Sequence, residues 1–251
     1  MGLLQGILEW LPVSSQGNLV VLAVAFLGLE PGDALSLSVY LHIGTGLAAL
    51  VYFREEIIGI LMQGTDADKS LLRFLVLATL VTGVVGFPLF TFIEIASLYG
   101  EALLGLTGIA LLATGLMQKG REGLKAEPRK GLTTIDGLTM GILQGLSAIP
   151  GLSRSGITTT AFLVKGFSGG DAFRFSFLMS IPASFAAAIG LALTEGTPPI
   201  NTGIIVALVT SFVVALVSID FFIKLARRTS FWKICVALGG ITLVALIPSL
   251  I

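Results

Sequence analysis

The chain has 251 residues, 55% of them hydrophobic and 12% charged, with a mean hydropathy of +0.98. That composition excludes a soluble globular domain and points to one polytopic membrane domain over residues 1–251. Its 15 basic and 15 acidic side chains cancel, leaving no basic tail for nucleic acid, and the lone Cys235 rules out an intrachain disulfide.

The first segment, 1–11, is apolar, without the basic leader of a cleavable signal, and is closed by Pro12. A polar turn, Val13-Ser14-Ser15-Gln16-Gly17, leads into a second apolar arm over 18–29. Each arm is too short for a span, which needs about 20 residues, so the pair reads as a re-entrant hairpin. Residues 34–53 are long enough to span; 54–70 are charged and amphipathic, suited to an interface. Spans are expected at 71–93 and 102–118, followed by the longest hydrophilic stretch, 119–136. A second hairpin covers 137–167, and further spans are expected near 172–193, 202–223 and 231–251. The reading is all-α, with six transmembrane helices and two re-entrant hairpins.

The chain repeats itself. Met1-Gly2-Leu3-Leu4-Gln5-Gly6 recurs as Met140-Gly141-Ile142-Leu143-Gln144-Gly145, Pro12 and Ser15 align with Pro150 and Ser153, and Asp33-Ala34 aligns with Asp171-Ala172. Repeats 1–118 and 137–251 would each hold one hairpin and three spans. An odd number of spans reverses the second half, giving an inverted-topology repeat whose interrupted segments meet near the midplane. With 119–136 in the cytoplasm, every lysine and arginine except Arg154 falls on that side.

Arg154 lies in Pro150-Gly151-Leu152-Ser153-Arg154-Ser155-Gly156-Ile157-Thr158, between two short apolar arms. A charge at that depth marks a functional site by default. With Ser153, Ser155, Thr158 and exposed backbone N–H groups around it, the chemistry is that of gripping phosphate oxygens. The plainer alternative is a polar turn packed between helices. In the first hairpin, Gln5 and Glu9 share a helix face, and Glu9 is the one carboxylate placed deep in the membrane. It reads either as an ion-pair partner of Arg154 or, with Gln5, as a ligand of a hard divalent cation such as magnesium or calcium. The two readings meet if a phosphate bridges metal and arginine.

These residues resemble the undecaprenyl pyrophosphate phosphatases of the bacitracin-resistance type. Gln5 and Glu9 match that family's E/Q-x-x-x-E motif, Pro12-Val13-Ser14-Ser15 its Pro-x-Ser-Ser turn, and Pro150 to Thr158 its P-G-x-S-R-S-x-x-T signature. The resemblance implies a membrane enzyme that uses a divalent cation to remove the terminal phosphate of a polyprenyl diphosphate at the outer side of the cell membrane. It implies a metal-linked Glu9, a phosphate clamp in Arg154, a nucleophile in Ser15 and phosphate contacts from Ser153, Ser155 and Thr158. Its partners would be the lipid substrate and the bilayer, with a homodimer left open. The family usually carries histidine where this chain has Asn18, which can hydrogen-bond phosphate but takes no proton at neutral pH. A metal-activated water could replace Ser15 as attacking group. The lone histidine, His42, reads as a polar group satisfied between helices, proton relay being the other role open to it. A transporter or flippase of a phosphorylated prenyl lipid is the rival function, because inverted repeats with broken helices also build transporters.

Overall fold

The computed structural model describes all residues except 12, 63, 98, 99, 121–130, 197–200, 227–231 and 246–251. Pro12 and the basic residues Arg121, Lys125, Arg129, Lys130, Arg227 and Arg228 thus lie outside the described residues. Among those described there is no strand, and the chain runs through eleven helices: α1 (Gly2–Leu8), α2 (Ser15–Leu27), α3 (Pro31–Tyr52), α4 (Arg54–Met62), α5 (Asp66–Ser97), α6 (Gly100–Lys119), α7 (Thr134–Leu146), α8 (Arg154–Val164), α9 (Gly169–Thr194), α10 (Thr202–Ala226) and α11 (Trp232–Ala245).

Four helices, not six, are long and apolar enough to cross a membrane among the described residues: Pro31–Tyr52, Asp66–Phe92, Gly169–Thr194 and Thr202–Phe221. The expected spans at 102–118 and 231–251 are not among them. Within α6 the described apolar run is only Thr107–Met117. The described part of α11 has 14 residues, about 21 Å at 1.5 Å per residue, against a hydrocarbon core of about 30 Å. Helices α6 and α11 pack closely on each other through glycines. A Cβ on Gly239 would fall 2.7 Å from the Gly108 carbonyl oxygen, and one on Gly108 would fall 2.9 Å from Leu243. Apolar composition that reads as lipid-facing from the sequence is here partly spent on that mutual contact.

On the long helices the lipid-facing stripes are plain. Val76, Leu80 and Val84 on α5, and Val206, Val209, Val213 and Val217 on α10, are all exposed. Their spacing of three and four residues puts them on one face of each helix. Inside, Phe74, Phe162, Phe167 and Phe175 form one aromatic cluster that seats α8 against α5 and α9.

Two pairs of short helices, α1–α2 and α7–α8, are carried against the long ones by glycine spacing. Gly2 and Gly6 turn towards α10, where a Cβ on Gly6 would come within 2.8 Å of Val214 Cβ. Gly141 and Gly145 turn towards α5, with Val81 and Val85 Cβ each 2.7 Å from the place a Cβ would take. Small residues four apart let helix backbones approach closely. In both pairs the glutamine of the recurring Met-Gly-x-Leu-Gln-Gly string is buried: Gln5 in α1 and Gln144 in α7.

The two ends of the molecule differ in charge. At one end Arg174 pairs with Glu56 at 2.8 Å, Lys165 with Asp136 at 3.1 Å, and Lys119 lies over the Trp232 ring. The hydrogen bond from Ser70 to the Leu132 carbonyl ties the start of α5 to the same end. At the other end Ser36 donates to Glu195 at 2.8 Å and Tyr40 to the Gly196 carbonyl at 3.1 Å. No lysine or arginine is among those contacts.

Candidate active site

The two turns of the short pairs press together at the centre of the fold. Gly17 lies so near the second turn that a Cβ there would be 2.6 Å from the Gly151 nitrogen. Gly151 itself has φ of +95° and lies directly against the Thr107 carbonyl, so neither turn tolerates a side chain at the contact. Ser14 holds φ of +58° and caps α2, its side chain accepting from the Gly17 N–H. Ser153 caps α8 in the same way, accepting from Gly156 N–H at 3.1 Å, while its own N–H donates to Thr114 at 3.1 Å. Each turn is thereby fixed by a serine cap, which satisfies helix-end donors that lipid could not.

The cap assignment decides what Ser15 does. Because Ser14 takes the cap, the Ser15 hydroxyl is free to leave the helix end, and it donates to Glu9 Oε2 at 2.7 Å. Glu9 is 4% exposed. Its Oε1 accepts from the Arg154 guanidinium, joining the first short pair to the second. Its Oε2 also accepts from Gln5 Nε2 at 3.0 Å and lies 3.2 Å from His42 Nε2. Arg154 donates through its other terminal nitrogen to the Ser176 carbonyl at 3.4 Å. Trp10, beside Glu9, is anchored by its indole N–H on the Ala215 carbonyl at 3.1 Å and edge-on to Phe177. This fixes the backbone that carries the carboxylate.

A cavity of about 200 Å³ opens on this cluster. Glu9, Ser15, His42, Ser153, Arg154 and Ser155 line it. Its apolar wall comes from Phe87 and Phe90 of α5 and from Ala183, Ala187 and Leu191 of α9. Those lining residues lie in the later half of α9 and of the membrane-crossing part of α5. The cavity therefore extends from the middle of these helices towards the end that holds Ser36, Glu195 and Gly196.

Three candidate residues are placed away from the cavity lining. Thr158 bonds back to the Arg154 carbonyl at 2.8 Å and to Ser176 Oγ at 2.6 Å. Asn18 spends its amide N–H groups on the carbonyls of Val13 and Ser14, at 2.7 and 2.9 Å, and so holds the first turn. Gln5 is fully buried behind Glu9 and presents its NH₂, not its oxygen, to the carboxylate. Conversely, His42, 24 residues beyond Asn18 on α3, is brought into the cluster. Its being the chain's one histidine was the available signal.

As arranged, these side chains fit an ion pair and not a preformed cation site. An ionised carboxylate offers about four lone-pair positions, and those of Glu9 face a guanidinium, an amide NH₂, a hydroxyl and an imidazole. Among the described residues no group of three or more His, Cys, Asp or Glu gathers there. Two buried amide oxygens near the site have no partner among the described residues: Gln5 Oε1 and, in the cavity lining, Gln144 Oε1.

The family described as "Bacitracin resistance protein BacA" matches the chain over residues 1–241. The chain belongs to this family. Its similarity to individual BacA relatives is end to end. It is 39% identical to a protein of Methanococcoides burtonii named undecaprenyl-diphosphatase, over 98% of this chain and 96% of that one. It is 37% identical to a protein of the same name from Haloarcula marismortui, covering 97% and 94%, and 39% identical to one from Methanothrix thermoacetophila, covering 97% and 93%. Each stretch that builds the cavity, from Glu9 to Leu191, falls inside the matched residues.

Proposed function

We infer that this chain is a multi-pass membrane hydrolase, an undecaprenyl-diphosphate phosphatase that removes the terminal phosphate and returns the lipid carrier as its monophosphate. Beyond family membership, one observation carries the chemistry: a serine hydroxyl bonded to a buried carboxylate, in the same cavity as a buried arginine. A diphosphate must bring several negative charges to mid-membrane depth. Arg154 offsets them, its remaining N–H donors forking onto phosphate oxygens, with Ser153 and Ser155 as further donors. Preorganised donors of this kind stabilise the charge that develops as the bond to phosphorus breaks.

In this reading Ser15 attacks phosphorus and Glu9 holds both Ser15 and Arg154 in place. The apolar wall of Phe87, Phe90 and Leu191 receives the first part of the prenyl tail. A divalent cation would arrive on the diphosphate, whose oxygens supply most of its shell, and would add charge neutralisation. The cavity's extension towards the end lacking basic contacts supports an opening to the outer side, by the positive-inside rule. The internal repeat of 1–118 and 137–251 is proposed to be the origin of the two glycine-packed short pairs.

Phosphate release from a prenyl diphosphate by the purified protein in detergent tests the reading. Detergent has no two sides, so a flippase of the same lipid would bind it there without releasing phosphate, and that result would replace the enzyme with the transporter.

A further inference from the structure

We propose that His42 is a catalytic residue, the group that takes the Ser15 proton during attack and returns it during hydrolysis of the resulting phosphoserine. The inference rests on the phosphatase reading with Ser15 as nucleophile.

Serine needs a proton acceptor to attack phosphorus at a useful rate. Among the described residues two side chains touch its Oγ: Glu9 Oε2 at 2.7 Å and His42 Nε2 at 3.4 Å. Glu9 is occupied on both oxygens by Arg154, Gln5 and Ser15 itself, and loosening it would unpin the arginine that holds phosphate. His42 is arranged otherwise. Its Nδ1 lies 2.6 Å from the Ser38 carbonyl oxygen, which can only accept. Nδ1 therefore carries a hydrogen in either protonation state, and the second proton is taken up and released at Nε2, the nitrogen that faces Ser15, Glu9 and the cavity. A backbone carbonyl fixing the far nitrogen is the arrangement that sets tautomer and ring orientation in histidine bases.

The same Nε2 lies 3.2 Å from Glu9 Oε2. Once it holds the proton, it faces a carboxylate, so the imidazolium forms beside its counter-ion. One nitrogen thus reaches the proton's source and the charge that stabilises its arrival. The 3.4 Å separation from Ser15 is long for a hydrogen bond, as such pairs commonly are before substrate closes them.

The step balances. Ser15 Oγ forms a bond to the terminal phosphorus and the bridging P–O bond breaks. Its electron pair leaves on the prenyl monophosphate, and the hydroxyl proton passes to Nε2. Water then bonds to phosphorus and the Oγ–P bond breaks. The Nε2 proton returns to Oγ, and the protons of water leave on inorganic phosphate.

The experiment is phosphate release from a prenyl diphosphate in detergent by the parent chain, His42→Gln and His42→Ala. Glutamine reaches the same place and keeps a polar contact, but it has no lone-pair nitrogen. His42→Gln should lower kcat about 100-fold or more, the usual contribution of acid–base help, with KM changed little. Added imidazole should restore part of the His42→Ala rate, a rescue that lost packing alone would not show. Labelling of Ser15 by a phosphonate probe should fall in both variants, a readout independent of turnover. A His42→Gln protein within threefold of the parent kcat, or undiminished Ser15 labelling, overturns the proposal and leaves the phosphatase reading standing. A parent chain that releases no phosphate overturns both.

Discussion

Gly17 and Gly151 touch backbone to backbone, the place of a Gly17 Cβ lying 2.7 Å from Gly151 Cα. This contact brings Glu9, on the first short pair, within reach of Arg154, on the second. Because Gly17 is helical, alanine there would gain about 0.5–1 kcal/mol in helix propensity. Forcing a methyl into a packed backbone contact costs about 1–3 kcal/mol, so the contact should win. Gly17→Ala should lower the melting temperature and reduce phosphate release more than it reduces folded protein. A variant that melts at or above the parent temperature with full activity would show that the turns can separate without harm.

Arg154 is the next test. Arg154→Lys keeps the charge but loses the planar fork that reaches Glu9, the Ser176 carbonyl and a phosphate together. Its turnover should fall on the order of 100-fold, the scale of losing one preorganised donor. Arg154→Ala also leaves Glu9 buried without its partner, a loss of about 3–5 kcal/mol for a broken buried pair, visible as a lower melting temperature. Near-normal hydrolysis by Arg154→Ala would remove it from the site.

Much of this centre was legible from the sequence because burial of charge leaves so few alternatives. Arg154 and Glu9 stood out as charges that no membrane surface could reach, and the structure pairs them. Thr158 and Asn18 were less legible. Both side chains turn to local backbone carbonyls, a competition that a motif match does not reveal. Ser14 and Ser15 are adjacent, and only the left-handed conformation of Ser14 decides which caps α2 and which is freed. His42 meets Glu9 across 33 residues of chain, a tertiary fact with no local signal. Helices α6 and α11 read as full spans because apolar counting cannot tell helix-facing from lipid-facing surface.

Orientation can be checked by cysteine labelling in a Cys235→Ser background. Gly196→Cys, next to Glu195 at the end without basic contacts, should react with an impermeant reagent added outside intact cells. Gly123→Cys, in the segment outside the described residues, should react only after the membrane is opened. The opposite pattern would place the cavity mouth in the cytoplasm.

The cation prediction turns on how Glu9 is used. If the divalent ion arrives with the diphosphate, a chelator should abolish phosphate release without changing the melting temperature of the substrate-free protein. A resident ion would instead stabilise the folded state by mass action, so its removal would lower that temperature. Glu9→Gln should lower the rate by disturbing both Ser15 and Arg154, while leaving the metal concentration for half-maximal rate within a few-fold of the parent. A large rise in that concentration would make Glu9 a direct ligand.

The last prediction separates serine attack from water attack. Ser15 and Ser14 differ by one position and have different work: Ser14 accepts from the Gly17 N–H, whereas Ser15 donates to Glu9. Ser14→Ala should lose a cap, about 1 kcal/mol in typical cases, and lower stability while keeping most turnover. Ser15→Ala removes no cap and should leave the melting temperature near the parent value. If Ser15 attacks phosphorus, its alanine variant should fall to the background rate, and the parent should yield a phosphorylated Ser15 on rapid quenching. A water nucleophile gives a different result, since His42 Nε2 would still lie beside the vacated hydroxyl position. Ser15→Ala would then retain measurable hydrolysis and no phosphoserine would form. A Ser15→Ala protein with more than about a tenth of the parent rate would therefore transfer the attack to water, because loss of a nucleophile costs far more than tenfold in enzymes that use one.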